Sequence, residues 1–136
     1  MGRICDILNY LSNSVELPGG MMCYNNPQAG HNMVGKYKVI TLCGSTRFKD
    51  EFLEVQKRLT LEGNIVISVG LFGHSGDDEV WTPGTKEMLD DMHKRKIDMA
   101  DGIYVINKGG YIGASTRSEI EYALATGKTV GYLETP

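Results

Sequence analysis

The sequence is poor in the residues that would staple it. Its three cysteines, Cys5, Cys23 and Cys43, are an odd number without C-x-x-C spacing, which argues against a disulfide framework and against a zinc ribbon or finger. Free thiols fit a reducing, cytoplasmic setting. The three histidines, His31, His74 and His93, show no metal-ligand spacing with one another or with the cysteines, so no metal is expected. No apolar run approaches a membrane span, and the first residues lack the charged and apolar regions of a signal peptide. Met1-Gly2 opens like a myristoylation signal, but Asp6 stands where serine or threonine is required. There is no excess of basic residues either: 14 Lys and Arg face 17 Asp and Glu, a net charge of -3. A nucleic-acid polymer is therefore not the expected partner. Internal repeats, low-complexity segments and the Walker A pattern are also missing.

What is present is the composition of one globular domain, 136 residues at 41% hydrophobic, long enough to bury a core. Residues 1–35 read as an extension outside that core. Ile4, Ile7, Leu8 and Leu11 suit one short amphipathic helix, and Pro18-Gly19-Gly20 and Asn25-Asn26-Pro27 interrupt it. The domain proper is expected over residues 36–136. Residues 37–43 form the first apolar, β-branched strand, and Phe48, Phe52, Val55 and Leu59 then line one face of a helix that Gly63 terminates. Residues 64–69 give a second strand. Residues 70–84 are aperiodic and glycine-rich, as a mobile flap beside a pocket would be. Thr82-Pro83 reads as an N-cap followed by proline at the first helical position. The next helix runs through Met88, Leu89, Met92, Lys96 and Ile97, with its methionines filling core. Residues 102–106 and 128–133 supply the third and fourth strands, and between them lies a helix ending at Gly127. Strands alternating with helices predict an α/β, Rossmann-like (flavodoxin-like) three-layer sandwich with a parallel sheet of four to five strands.

Two strand-to-helix turns carry the candidate chemistry. After the first strand, Gly44-Ser45-Thr46-Arg47 offers backbone N–H groups, two hydroxyls and a bidentate cation, a set suited to phosphate. The plainer reading is an N-cap beside an exposed arginine. After the third strand, residues 109–119 run from glycines through Ser115, Thr116, Arg117 and Ser118 to Glu119. Near a helix start the dipole favours an ionised carboxylate, and a positioned carboxylate can attack an anomeric carbon. Its plainer reading is a capping box built on Ser115 or Thr116. Asp90, Asp91, His93, Asp98 and Asp101 are the further possible acids, each also readable as solvated helix surface or, for Asp101, as a turn cap.

Cys43-Gly44-Ser45-Thr46-Arg47, residues 100–105 (Ala-Asp-Gly-Ile-Tyr-Val) and Gly113 through residues 119–123 (Glu-Ile-Glu-Tyr-Ala) to Gly127-Lys128 resemble, in order and spacing, the nucleoside 2-deoxyribosyltransferase superfamily. Within it the chain looks like the 2'-deoxynucleoside 5'-monophosphate N-glycosidases. The resemblance implies a Rossmann-like fold, no metal or organic cofactor, and Glu119 as nucleophile at C1' of the sugar; the family has five strands where four are recognisable here, so the sheet is shorter or residues 1–35 contribute to it. It also implies that Gly44, Ser45 and Arg47, with Gly113 and Ser115, surround the 5'-phosphate or 5'-hydroxyl. A small-molecule nucleotide or nucleoside is the implied partner, and a homodimer or higher homo-oligomer the implied assembly. His93 stands where the family has its second catalytic aspartate, so that role falls to His93 or to Asp90 or Asp91. Arg117 and Ser118 replace small residues of the family's glycine-rich turn, narrowing the pocket or adding a phosphate ligand. The expected activity is hydrolysis of a (2'-deoxy)nucleoside monophosphate or deoxyribosyl transfer between bases. The alternatives are a ribonucleoside monophosphate phosphoribohydrolase and a non-catalytic nucleotide-binding or sensor module.

Overall fold

The computed structural model describes residues 33–75 and 81–136, and the backbone of two short strands, β1 (Ser14–Glu16) and β2 (Met22–Tyr24). These two pair antiparallel, Val15 opposite Cys23, a pairing that the sequence did not predict. The helix expected at Ile4 to Leu11 lies outside the described residues.

The domain alternates strand and helix: β3 (Val39–Gly44), α1 (Lys49–Leu61), β4 (Ile65–Ile67), α2 (Thr85–Asp98), β5 (Gly102–Ile106), α3 (Ala114–Ala125) and β6 (Thr129–Tyr132). The sheet is parallel throughout in the order β4-β3-β5-β6, an α/β Rossmann-like sandwich with four strands among the described residues. Period-two alternation sorts the side chains of β3 and β5 onto the two faces. Leu42 and Ile106 point into a core with Phe52, Val55 and Leu59 of α1. Cys43, Ile103 and Val105 point the other way, against Ile97 of α2 and Ala123 of α3. Burying each large apolar side chain contributes roughly 1.5–3 kcal/mol, so both faces of the sheet need their helical layer.

Local chemistry sets the element ends. Gly63 (φ +95°) and Gly127 (φ +76°) follow α1 and α3 in the left-handed conformation that ends many helices. Residues 82–84 do not start α2 as expected. Thr82 and Pro83 lie in a turn, with Thr85 N–H donating to the Thr82 carbonyl, and the helix begins at Thr85 behind Gly84 at φ +89°. Its buried stripe is also shifted, since His93 and Ile97 are buried while Met88 and Met92 are 51% and 43% exposed. The methionines are not core filling.

At the carboxyl ends of the strands, β3 and β5 are neighbours whose connections leave in opposite directions, β3 toward β4 and β5 toward β6. Open α/β sheets bind ligands at such a reversal. Gly44 ends β3 opposite Ile106. Its φ is +152°, and a Cβ there would stand 2.7 Å from the Ile106 carbonyl oxygen, so only glycine lets the two turns diverge from adjacent strands.

Candidate active site

A cleft of about 610 Å³ opens at this reversal point. Gly44, Ser45, Thr46 and Arg47 line one end, Gly113, Ala114, Ser115 and Thr116 the facing turn, and His93 and Glu119 its floor. Val69, Leu71, Trp81, Leu89 and Met92 supply an apolar wall.

The turn after β3 is pre-formed. Ser45 Oγ accepts from the Arg47 backbone N–H at 3.4 Å and from Arg47 Nε at 3.1 Å, so the serine caps the turn and aims the arginine together. The capping and anion-binding readings of these residues are compatible. Arg47 extends across the crevice onto Tyr111. Thr46 is held from the segment after β4: its hydroxyl and His74 Nδ1 are 2.7 Å apart, and its carbonyl accepts from Ser75 Oγ at 2.7 Å. Residues 70–75 and Trp81 thus border the cleft as anticipated, through Leu71, Gly73, His74 and Trp81. The turn after β5 is fixed from beneath. Buried Asn107 donates to the Glu134 carbonyl and accepts from its N–H, both at 2.8 Å, while the Glu134 carboxylate accepts from Gly109 N–H at 2.8 Å.

At the floor, three elements of one face converge. Cys43 from β3, His93 from α2 and Glu119 from α3 place their sulfur, ring nitrogen and carboxylate oxygen within 4.8 Å of one another. Cys43 Sγ is 3.3 Å from His93 Nε2, which is 3.7 Å from Glu119 Oε2. Cys43 is fully buried and His93 is 8% exposed. Burial governs the titration of all three. It raises the Cys43 thiol well above its ordinary value, with the Glu119 charge adding to the effect. It lowers His93 to about 4, helped by the Lys96 charge, so this imidazole is neutral at neutral pH. It raises Glu119 to about 7, Asp90 pushing the same way and the Cys43 contact, Lys94 and Lys86 opposing. The expectation that the helix dipole keeps Glu119 ionised is therefore corrected. Glu119 lies in the second turn of α3, beyond the reach of the dipole, and desolvation outweighs it.

The helix containing Glu119 is not started by a capping box. Gly113 is its N-cap without a side-chain bond, and Ser115 and Thr116 lie within the first turn. Of the sequence-derived site residues, Gly44, Ser45, Thr46, Arg47, His93, Gly113, Ser115 and Glu119 all border the cleft. Three do not. Asp101 sits at the opposite edge of the sheet, before β5, where its carboxylate accepts from Val39 N–H at 2.7 Å and its own N–H donates to the Val39 carbonyl. Asp91 has a side chain 74% exposed and pairs with Arg95. It is Asp90, one residue earlier and paired with Lys86, that faces the cleft. Arg117 is exposed on the outer side of α3 and neither narrows the cleft nor enters it.

Sequence reasoning missed Cys43 as a site residue, along with Tyr111, Lys86 and Lys96. For Cys43 a signal existed: it ends the buried run before Gly44, and strand alternation puts it on the face that α3 covers. Lys96 Nζ donates to the carbonyls of Ser68 and Val69 at 2.9 and 3.3 Å, tying α2 to the end of β4. A second, more open groove of about 530 Å³ lies outside Arg47 and includes Glu51 and Lys108. Exposed Lys108 and half-buried Glu51 satisfy each other at 2.7 Å. No protein-family model and no curated protein matches this chain, so what the cleft can do is read from its own geometry.

Proposed function

We propose that this protein hydrolyses the N-glycosidic bond of a nucleoside 5'-monophosphate, of the 2'-deoxy kind by the resemblance described above, with Glu119 as nucleophile. The observation that carries the reading is a single nucleotide-sized cleft joining the donor-rich turn at Gly44–Arg47 to a buried carboxylate at Glu119. The phosphate is bound by the N–H groups and hydroxyls of Ser45 and Thr46 and by the Arg47 guanidinium, and the base lies against the apolar wall. The ionised Glu119 oxygen attacks C1', the C1'–N bond breaks, and the base departs with the bonding pair and takes a proton from solvent. Water then attacks C1' of the glycosyl-enzyme, releasing sugar phosphate and restoring the carboxyl group. Attack by a second base in place of water would make the same site a transferase. His93, neutral at working pH, lies 3.7 Å from Glu119 and does not serve as the proton donor.

The test is Glu119→Ala, which stops base release while calorimetry still detects nucleotide binding; undiminished turnover overturns the reading. A chromatographic screen of ribo- and deoxyribonucleoside monophosphates for free base identifies the substrate and separates this activity from that of a phosphoribohydrolase.

A second reading, a nucleotide sensor without turnover, is favoured by one feature. The carboxyl group, raised to about 7, is only partly ionised at neutral pH. A monophosphate that binds tightly yet yields no base over long incubation at pH 8 selects that reading.

A further inference from the structure

We propose that Cys43, His93 and Glu119 form a binding site for a zinc-class divalent cation, and that a bound ion takes Glu119 out of catalysis. The binding half stands on geometry alone; the inhibitory half rests on the hydrolase reading above. The thiol, imidazole and carboxylate are the donor types that zinc takes, and a soft sulfur excludes magnesium and calcium as preferred occupants. Zinc bonds of about 2.0–2.3 Å set tetrahedral ligand atoms roughly 3.3–3.7 Å apart. The sulfur-to-nitrogen and nitrogen-to-oxygen separations are 3.3 and 3.7 Å, and all three atoms lie within 4.8 Å. A shift of the Glu119 side chain of well under 2 Å, on the order of a rotamer adjustment, completes the triangle.

The surroundings supply the rest of a metal site. The ligands come from three packed elements, so the site is present in the folded chain and absent from the unfolded one. The His93 ring is hydrogen-bonded to the backbone of Leu42, which leaves Nε2 facing Cys43 and Glu119, the type of outer contact that orients ligating histidines. Three protein ligands leave a fourth position, and His93 and Glu119 border the cleft, so that position faces the bound nucleotide. One carboxylate cannot both coordinate the ion and attack C1'.

Cobalt(II) is the probe. Titrated into the reduced full-length protein, it should bind one ion per chain and give a thiolate-to-cobalt charge-transfer band. The band should vanish in Cys43→Ser, weaken at least tenfold in apparent affinity in His93→Gln and Glu119→Gln, and persist in the Cys5→Ser/Cys23→Ser double variant. Circular dichroism of each variant reports folding, and the three separate ligand variants guard against the loss of any one fold. Absence of the band in the folded parent, or its dependence on Cys5 and Cys23 instead, overturns the site. Zinc should inhibit base release in the parent, with a chelator restoring it. If the parent shows the cobalt band but releases no base from any monophosphate, the hydrolase reading fails and the metal site stands. If it releases base but shows no band, the metal site fails alone.

Discussion

Arg47 lies over the ring of Tyr111, its guanidinium carbon 4.4 Å from the ring centroid and one nitrogen 3.4 Å from the phenol oxygen. This contact spans the crevice between the turns that follow β3 and β5. Both side chains line the cleft, and the stacking together with the Ser45 contact fixes where the cation sits.

Removing the cation tests the phosphate end. Arg47→Ala should raise KM for a nucleoside monophosphate tenfold or more, since a hydrogen bond to a charged group is worth roughly 1.5–3 kcal/mol. KM for the corresponding nucleoside should barely change. Tyr111→Phe keeps the stacking and should cost less than threefold. Steady-state kinetics on the matched substrate pair makes the comparison, and equal losses on both would remove Arg47 from phosphate binding.

Rates should depend on pH through Glu119. On the hydrolase reading the ionised form attacks, so kcat/KM should climb as pH rises and level off above a midpoint of about 7. Asp90→Asn removes a nearby negative charge that raises this group and should move the midpoint downward. A flat profile between pH 5.5 and 8.5 would deny Glu119 the role.

Stability should respond to the same two groups with opposite signs. Glu119 is raised from 4.5 to about 7, so its contribution is fully present below pH 4.5 and is lost as pH rises through 7. His93 is lowered from 6.5 to about 4, so its contribution is present above pH 6.5 and is lost as pH falls through 4. Each displacement is worth roughly 3 kcal/mol, and between pH 4.5 and 6.5 the slopes largely cancel. Glu119→Gln should therefore stabilise the protein at pH 8 by about 1–3 kcal/mol and leave an unmasked loss below pH 6.5. Urea denaturation at pH 5.5 and 8 reads both effects.

Asp101 offers a contrast between structure and chemistry. Its carboxylate holds the first amide of β3 at the far edge of the sheet, so Asp101→Ala should cost roughly 1.5–3 kcal/mol of stability and leave kcat/KM within twofold at a temperature where the variant is folded. A specific loss of kcat in the folded variant would return it to the active site.

The Gly44 contact predicts a steric cost. Gly44→Ala should destabilise by roughly 2 kcal/mol or more, because the methyl group overlaps a strand carbonyl at a φ that disfavours alanine. Thermal denaturation beside Gly63→Ala, whose Cβ would meet nothing within 4 Å, isolates the overlap from the backbone strain that both share.

The layers of this fold were legible because they follow from periodicity. The helical spacing of Phe52, Val55 and Leu59 specifies one buried face, and all three are buried. The two glycine turns that border the cleft were also legible as strand-to-helix turns, since glycine and hydroxyl residues favour such connections. The start of α2 was not, because Thr82-Pro83 satisfies the chemistry of a cap and of a turn equally well and the left-handed Gly84 decided between them. Asp101 was misread for want of one distance: in sequence it borders β5, but on the edge opposite the cleft. Least legible was the Cys43–His93–Glu119 cluster, whose members lie far apart along the chain and meet only through the stacking of α2 and α3 on the sheet.

Thr46 is bonded through both its hydroxyl and its carbonyl to the segment after β4 that also contributes Leu71 to the cleft. The turn after β3 and part of the cleft's apolar wall are thus one mechanical unit, and on the hydrolase reading they hold the phosphate and the base. Discrimination among bases is then a shared property of both ends of the ligand: a nucleoside lacking its phosphate should lose affinity and, with it, some of the protein's preference for one base over another. By thermodynamic reciprocity, the preferred base should tighten the hold on the phosphate by the same factor.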